Sequence, residues 1–396
     1  MSLTDTPNAN RLHITLFGRR NSGKSSLINA LTGQDTALVS NTPGTTTDLV
    51  SKAMEIQGIG PCLFIDTPGF DDEGALGELR ISRTLKAIEK TDIALLLCED
   101  TTFFHEKEIL ALLKEKNIPV IPVLNKIDIR ENSDHLATYI EEQCKIHPLL
   151  ISAKEKIGIE LIRQAILEKL PSDFGQQSIT RELVTENDLV LLVMPQDIQA
   201  PKGRLILPQV QTIRELLDKK CLVMTCTTDK FSATLQALAR PPKLIITDSQ
   251  VFKAIYEQKP KESELTSFSV LFAGYKGDIH YYVESAAVIE RLTESSRVLI
   301  AEACTHAPLS EDIGRVKLPR LLRKWIGENL QIDMVAGTDF PQDLTPYSLV
   351  IHCGACMFNR KYVLSRIERA REQHIPMTNY GVAIAFLNGI LDQIKY

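Results

Sequence analysis

A phosphate-binding loop near the N-terminus constrains the fold of this chain more than any other feature. The apolar run His13–Phe17 has the length of a strand, G-x-x-x-x-G-K-S follows over Gly18–Ser25, and a helical pattern begins at Leu27. The glycines allow backbone N–H groups to surround a phosphate, and the N-terminus of the helix adds partial positive charge. The loop therefore predicts a nucleotide site in an α/β P-loop domain.

Individual side chains of this loop have predicted roles. We expect Lys24 to reach the β- and γ-phosphates and the Ser25 hydroxyl to bind Mg²⁺. The other loop residues expected to contact the nucleotide are Gly18, Asn21, Ser22, Gly23 and Ser26.

A second motif, Asp66-Thr67-Pro68-Gly69, follows the strand-like run Cys62–Ile65. The Asp66 carboxylate is expected to hold Mg²⁺ through a water molecule, and the Gly69 N–H is expected to sense the γ-phosphate. These two residues complete the predicted phosphate and metal side of the site.

Two further motifs predict that the base is guanine. Asn125, Lys126 and Asp128 follow a strand-like run, and the Asp128 carboxylate can accept hydrogen bonds from guanine N1–H and N2–H, a pattern that adenine does not offer. Ser152-Ala153-Lys154 follows the next such run and fits the loop behind guanine O6. GTP and GDP are therefore the predicted ligands.

In this order the motifs resemble those of the GTPase branch that includes the tRNA-modification GTPase MnmE and Era, over residues 11–170. Thr42–Asp48 resembles the first switch of that branch, so Thr46, with Thr45 as second choice, is expected to contact the γ-phosphate and Mg²⁺. The resemblance implies a GTPase with Lys24, Thr46 and Gly69 as its catalytic residues.

The rate of hydrolysis is expected to be low and to depend on potassium. Phe70 follows the Asp-Thr-Pro-Gly motif, whereas Ras-like proteins place a glutamine that orients water there. Asn21 matches the asparagine that helps to bind K⁺ in MnmE-like proteins, although it could equally be a turn residue. A cation beside the phosphates would supply the missing positive charge.

Length and composition indicate an ordinary soluble protein of two or three domains. The chain has 396 residues, 44% of them hydrophobic, and its net charge of −5 disfavours nucleic acid as the main partner. No apolar run approaches the roughly 20 residues that span a bilayer, and Met1–Arg11 has no signal-peptide core, so we expect a cytoplasmic protein without a membrane partner. Its eight cysteines are then thiols or metal ligands.

Strand-length apolar runs alternate with helical patterns along the whole chain, which predicts an α/β fold: a P-loop GTPase domain followed by two smaller α/β domains with mainly parallel sheets. The predicted domains are residues 1–172, 179–260 and 265–396. The middle domain has no obvious catalytic set, so we interpret it as structural and as a dimerisation module. In the last domain the predicted strands are Ser269–Phe272, Val298–Ala301 and Leu349–His352.

A set of cysteines and histidines in the last domain predicts a metal site. Cys304 and Cys353 each lie just after a strand-like run, and Cys356 is three positions after Cys353. Because the carboxyl ends of parallel strands meet at one crevice, these thiols can meet there. An iron–sulfur cluster, a zinc site of three cysteines and one histidine, a redox dithiol and inert cysteines remain open.

Three cysteines would leave one iron of a 4Fe-4S cluster without a thiolate. The candidates for the fourth ligand are His306, His352, Glu302 and water. An exchangeable fourth ligand suits a scaffold better than a sealed electron carrier.

A GTPase block, a middle block without a catalytic set and a C-terminal Cys-x-His…His-Cys-x-x-Cys set together resemble the HydF family, the GTPases of di-iron (FeFe) hydrogenase maturation. The resemblance implies GTPase, dimerisation and cluster-binding domains, a homodimer, and a 4Fe-4S cluster held by Cys304, Cys353 and Cys356. It also implies a scaffold that completes the di-iron subcluster and passes it to apo-hydrogenase, with radical-SAM maturation enzymes as further partners.

Two other functions compete with this interpretation. An RNA-directed GTPase would use the basic stretches Arg315–Lys324 and Arg360–Arg371, but apolar residues interrupt their charges at core-like spacing, which is typical of a solvated helix face. A zinc metallochaperone would have the same GTP site and a colourless metal centre.

Overall fold

The computed structural model describes residues 6–33, 50–69, 83–100, 102–171, 174–175, 177–196, 205–303 and 312–396. It divides into two compact units, Met1–Gly175 and Gln176–Tyr396. Among the described residues, no helix is both long and apolar enough to span a membrane.

The first unit contains a six-stranded sheet with the order β2-β3-β1-β4-β5-β6, in which only the β2–β3 pair is antiparallel. Its strands are β1 Leu12–Gly18, β2 Val50–Ile56, β3 Gly60–Asp66, β4 Ile93–Cys98, β5 Val120–Leu124 and β6 Leu149–Leu150. The helices whose bounds lie within its described residues are α1 Lys24–Thr32, α2 Phe104–Glu115, α3 Ser133–Cys144 and α4 Ile159–Glu168, and residues 83–88 are also helical.

Both faces of this sheet are covered, which explains why its central strands are continuously apolar. Leu16 packs against Leu27 of α1 on one face, whereas the adjacent residue, Phe17, belongs to the core on the other face with Leu110 of α2. Successive side chains of a strand point to opposite faces, so β1 requires apolar residues at every position.

The second unit contains two four-stranded parallel sheets. The first has the order β10-β9-β7-β8 and consists of β7 Leu189–Val193, β8 Leu222–Cys226, β9 Leu244–Thr247 and β10 Glu264–Ser267. Its helices are α5 Leu207–Asp218, α6 Phe231–Ala237, α7 Phe252–Gln258 and α8 Phe268–Lys276.

The other sheet has the order β12-β11-β13-β14 and consists of β11 Arg297–Glu302, β12 Gln331–Ala336, β13 Leu349–His352 and β14 Met377–Asn379. Its helices are α9 Ile279–Ala286, α10 Leu318–Ile326, α11 Arg360–Glu372 and α12 Tyr380–Leu387. The chain leaves β11 towards β12 and leaves β13 towards β14, so the strand order reverses between β11 and β13. Ligands of open α/β sheets bind at such a point.

The predicted fold class, a P-loop α/β domain followed by further α/β structure with mainly parallel sheets, is confirmed. The strand predicted at Ser269–Phe272 is wrong, because these residues lie in α8, whose N-terminus is capped by Ser267 Oγ accepting from Val270 N. Six of the nine residues of α8 are buried, and a mostly apolar run of this length does not distinguish a buried strand from a buried helix.

Two features of the second unit bear on the predicted boundary between the second and third domains. Strand β10 pairs with β9, so the middle sheet extends beyond residue 260. One hydrophobic core contains Leu191 and Ile245 of the first sheet together with Leu299 and Val350 of the second. The division into three domains therefore stays a prediction.

Candidate functional site

The phosphate-binding loop lies between β1 and α1. Gly23 has a φ of +90°, and a Cβ atom at this position would lie 2.3 Å from Asn125 Nδ2. Glycine is thus required both for the left-handed backbone and for the close approach of the Asn125 side chain.

Lys24 is buried at the start of α1. Its Nζ donates hydrogen bonds to the carbonyl oxygens of Gly18, at 2.9 Å, and Arg19, at 2.8 Å. The loop therefore holds the ammonium group among its own carbonyls, at the position where a phosphate-binding lysine is needed.

Ser25 and Asp66 form a pair of oxygen ligands suited to Mg²⁺. Ser25 Oγ lies 2.6 Å from Asp66 Oδ2, and Asp66 Oδ1 is buried with no hydrogen-bond partner among the described residues. Burial raises the pKa of Asp66, while the Ser25 hydrogen bond and the charge of Lys24 oppose the rise. A carboxylate oxygen without a partner beside a hydroxyl fits a hard cation.

Asn125 joins the phosphate loop to the loop that follows β6. Its Nδ2 donates to Ser22 O at 3.0 Å, and its Oδ1 accepts from Ala153 N at 3.0 Å. The side chain is almost completely buried. It therefore holds in register two loops that are predicted to bind opposite ends of the nucleotide.

Asp128, the predicted guanine acceptor, is exposed and oriented by its neighbour. Ser152 Oγ donates to Asp128 Oδ1 at 2.6 Å, and this bond lowers the pKa of the Asp128 carboxyl. Lys126 Nζ lies 3.0 Å from Glu99 Oε1, and Lys154 is exposed, with its Nζ 3.6 Å from Glu155 Oε1.

Arg19 braces the phosphate loop, a role that the sequence did not reveal. Its guanidinium group forms ion pairs with Asp100, at 2.9 Å, and with Glu106, at 2.9 Å, and Glu106 is only 1% exposed. The partners are distant in sequence, and no motif connects them.

Several predicted residues stay predictions. Thr45, Thr46 and Phe70 lie outside the described residues. Asn21 is exposed and has a φ of +62°, which is typical of a turn residue, and Gly69 lies just after β3. Nothing in these positions tests the potassium site.

The cysteine site lies where the strand order of the last sheet reverses. Strands β11 and β13 are parallel neighbours, with Ala301 paired to His352. The backbone N–H of Ala303 donates to Cys353 Sγ at 3.0 Å. Cys304 and His306 lie outside the described residues, but the residue directly before Cys304 contacts the thiol of Cys353.

The Cys353–Cys356 loop turns through Ala355, whose φ of +51° is unusual for a residue with a side chain. Ala355 N also donates to Cys353 Sγ, at 3.4 Å. Burial, reinforced by Cys356, raises the pKa of Cys353 to about 11, and the two N–H donors oppose the rise. Two N–H groups directed at one sulfur fit a thiolate that ligates a metal centre.

His352 is a hydrogen-bonding residue in this structure. Its Nε2 lies 2.9 Å from Arg366 Nη1, which can only donate, and its Nδ1 therefore carries the proton that is donated to Cys353 O at 2.8 Å. Burial and then Arg366 lower the pKa of the ring to about 3, so it is neutral. In this arrangement neither ring nitrogen has a lone pair available without breaking one of these bonds, and the role of His352 as a fourth ligand stays a prediction.

Glu302, another candidate for the fourth ligand, ends β11 next to the cysteine loop. It is 6% exposed; Oε2 lies 3.2 Å from Arg315 Nε, and Oε1 lies 3.4 Å from the Tyr380 hydroxyl. A Cβ atom at Gly314 would lie 2.5 Å from the same carboxylate, so glycine is needed there for space.

Two buried cations beside the cysteine loop were missed by the sequence analysis. Lys276, at the end of α8, donates to three carbonyl oxygens of the loop, those of Ala355, Cys356 and Phe358. Arg366 lies behind His352, within the basic stretch Arg360–Arg371 that the sequence suggested as a solvated face. Nothing in the local sequence distinguishes these two residues from other cations, because Lys276 follows an apolar run and Arg366 is one of several arginines in its stretch.

Within the described ranges, no group of three or more His, Cys, Asp or Glu residues could hold a metal ion. The predicted set of Cys304, Cys353 and Cys356 includes one residue outside those ranges, so it stays a prediction.

Models of known protein families match most of the chain in three parts. Residues 13–126 match the 50S ribosome-binding GTPase model, residues 179–277 the hydrogen maturase F dimerization domain, and residues 280–395 the hydrogen maturase F tetramerization domain. Together with the loop geometry, the first match identifies a GTPase domain.

Individual proteins resemble the first unit. The tRNA modification GTPase MnmE of Dechloromonas aromatica (strain RCB) is 40% identical over 161 residues, and that of Nitrosomonas europaea is 39% identical over 160. These matches cover 39% and 40% of this chain, and the chain spans 34% of the length of each relative. A solved structure of Era from Aquifex aeolicus is 21% identical, with a TM-score of 0.35, and the match covers 57% of this chain and 98% of the Era chain.

Proposed function

The chain belongs to the hydrogen maturase F family, since two domain models of that family match residues 179–277 and 280–395, and we propose that it is a GTP-hydrolysing scaffold with a 4Fe-4S cluster. On this scaffold the di-iron subcluster is assembled and then delivered to apo FeFe-hydrogenase in the cytoplasm. The radical-SAM maturation enzymes are its proposed upstream partners.

One observation carries the cluster part of this proposal. The N–H of Ala303, the last described residue before Cys304, donates to Cys353 Sγ at 3.0 Å, which supports a site shared by Cys304 and the loop Cys353–Cys356. Cys304, Cys353 and Cys356 would hold three irons, and the fourth would be left for His306, His352, Glu302 or water. When bound, the cluster supplies an iron with an exchangeable ligand, which suits attachment of the di-iron cargo.

At the nucleotide site, Lys24 binds the phosphates, and Ser25 and Asp66 hold Mg²⁺, which neutralises phosphate charge. Thr46 and Gly69 contact the γ-phosphate, and Asp128 selects guanine. Because Phe70 cannot orient water, GTP hydrolysis would be slow, and K⁺ held by Asn21 would supply positive charge beside the phosphates and accelerate it. Loss of the γ-phosphate releases the loops that hold it and alters partner docking.

The cluster is tested by anaerobic reconstitution with iron and sulfide. Absorption and reduced-state EPR spectra are recorded for the wild type and for Cys304→Ser, Cys353→Ser and Cys356→Ser, with Cys144→Ser, a buried cysteine of the first unit, as the control. We expect a brown protein with a 4Fe-4S signal that all three variants lose and the control retains. A colourless protein that holds zinc tightly would refute the scaffold and favour a zinc-dependent GTPase.

A further inference from the structure

We propose that Lys276 and Arg366 are charge-balancing residues that offset the negative charge of the thiolate loop Cys353–Cys356 and raise the reduction potential of the cluster held there. The inference rests on the proposed function for the cluster. It also predicts how fast Cys353 and Cys356 are alkylated in the cluster-free protein.

Lys276 is a buried cation whose hydrogen-bond partners are neutral. The side chain is 2% exposed, and Nζ donates to the carbonyl oxygens of Ala355 at 3.1 Å, Cys356 at 3.4 Å and Phe358 at 2.6 Å. Within the described part of the chain, no carboxylate forms an ion pair with it. Its positive charge therefore faces the cysteine loop without compensation.

Arg366 is a second buried cation near the loop. It is 1% exposed and enclosed by the rings of Phe340, Phe358 and Tyr362, with 4.6–4.7 Å between the guanidinium carbon and the ring centroids. Its polar contacts are neutral groups, and its Nε has no hydrogen-bond partner among the described residues. No carboxylate in the described ranges pairs with it.

A chain of hydrogen bonds connects Arg366 to the loop. Nη1 donates to His352 Nε2 at 2.9 Å, and His352 Nδ1 donates to Cys353 O at 2.8 Å. In both hydrogen bonds the donor lies on the Arg366 side and the acceptor on the Cys353 side, so the two N–H dipoles have the same direction. Dipoles aligned in this way strengthen each other in a low-dielectric interior.

Burial of one unpaired cation is unfavourable, and two beside a single short loop require a nearby anion. As ligands of the proposed cluster, Cys353 and Cys356 are thiolates, and these are the anions that the loop then provides. A one-electron reduction adds negative charge to a cluster without breaking a bond, so nearby buried positive charge favours the reduced state. If the only task of these side chains were to donate hydrogen bonds to neutral acceptors, neutral amide side chains would be sufficient.

The test uses the full-length protein with Lys276→Gln and Arg366→Gln, which retain donors but remove charge. Two variants serve as matched controls. Lys259 also donates to carbonyl oxygens after a helix end, those of Pro260 and Ser263, and Arg371 lies on the same helix as Arg366 but is paired with Asp278 at 2.6 Å. Both controls are changed to glutamine.

Two readouts are recorded for each variant. The first is an EPR-monitored redox titration of the reconstituted cluster, with dithionite as the one-electron donor. The second is the rate at which iodoacetamide alkylates Cys353 and Cys356 in the cluster-free protein at fixed pH, measured by peptide mass spectrometry. Alkylation reports the thiolate and needs no cluster.

We expect each charge-removing variant to weaken the reduced state about tenfold relative to the oxidised state, which is a downward shift of about 59 mV for one electron. The alkylation rates should fall by a similar factor, and Lys276→Arg and Arg366→Lys should restore both readouts. The controls should match the wild type.

Unchanged potentials and alkylation rates in the folded glutamine variants would overturn the proposal. If the glutamine variants do not fold but Lys276→Arg and Arg366→Lys do, the proposal is supported. If the charge-retaining variants also fail to fold, the site requires the shape of these side chains and the proposal is overturned. A wild type that takes up no cluster would refute the proposed function, and the alkylation rates would still decide this inference.

Discussion

At the scale of single residues, the structure gives several predicted side chains a second task. Asn125 belongs to the guanine motif by sequence, yet both ends of its amide group are bonded to protein, at Ser22 O and Ala153 N. His352 was predicted from its position beside Cys353, but its ring links Arg366 to the cysteine loop. The motif predicts which residue type is present at each position. The hydrogen-bond partners of that residue depend on which groups are buried beside it in the fold.

Asp66, which we propose to hold Mg²⁺, should lower the stability of the metal-free protein and be necessary for Mg²⁺ binding. Burial raises its pKa above the unfolded value, so the ionised carboxylate costs stability at pH values above that raised pKa, and the cost is absent below the unfolded pKa. We expect Asp66→Asn to raise the melting temperature at neutral pH in EDTA, while affinity for Mg²⁺ falls about 10–100-fold.

Thermal unfolding in EDTA and GDP binding with and without Mg²⁺ measure the two effects. Asp134→Asn, an exposed position on α3, is the control and should change neither quantity. A lower melting temperature for Asp66→Asn in EDTA would show that the carboxylate stabilises the metal-free fold, contrary to this argument.

At the scale of secondary structure, helix α8 shows where sequence periodicity fails. Its buried positions cover most of its circumference, so it has no polar stripe to identify a helix. The helix packs between the two sheets of the second unit, with Val270 and Ala273 in their shared core. Its C-terminal residue, Lys276, contacts the cysteine loop because the segment is a helix and not the strand that its apolar run predicts.

Removal of the α8 N-cap should destabilise the second unit. Ser267 Oγ accepts from Val270 N at 3.2 Å and lies 2.9 Å from Ser249 Oγ, with no solvent exposure. We expect Ser267→Ala to lower the free energy of unfolding by about 1–2 kcal/mol. Urea unfolding followed by the fluorescence of Trp325, the single tryptophan, reports this unit alone.

The exposed Ser295→Ala is the control for this measurement and should unfold like the wild type. A change of less than about 0.5 kcal/mol in Ser267→Ala would mean that water or a rearranged Ser249 replaces the cap.

At the scale of the whole molecule, strand β8 is the best candidate for the dimer interface. It is an edge strand of the sheet within the matched dimerization domain, and it exposes Leu222 by 50% and Met224 by 40%. An apolar edge strand invites pairing with another strand. A second copy of this chain would satisfy its backbone groups and cover these side chains.

We expect Leu222→Arg to convert the dimer into a monomer or to raise its dissociation constant at least about tenfold, since two like charges would be buried at a symmetric interface. Light scattering after size-exclusion chromatography measures the mass. Leu167→Arg, an equally exposed leucine on α4, is the control and should leave the mass unchanged. A dimer that persists in Leu222→Arg would place the interface elsewhere.

The sequence alone determined the nucleotide chemistry and the family, because both depend on local patterns. A phosphate loop between a strand and a helix binds through its own backbone, and the Cys-x-x-Cys spacing is set by one turn of chain, so each can be identified without knowledge of the rest of the fold. The tertiary structure alone decided what surrounds these motifs. Arg19, Lys276 and Arg366 act through partners distant in sequence, and the energy of a buried charge depends on which groups the fold brings within a few ångströms of it.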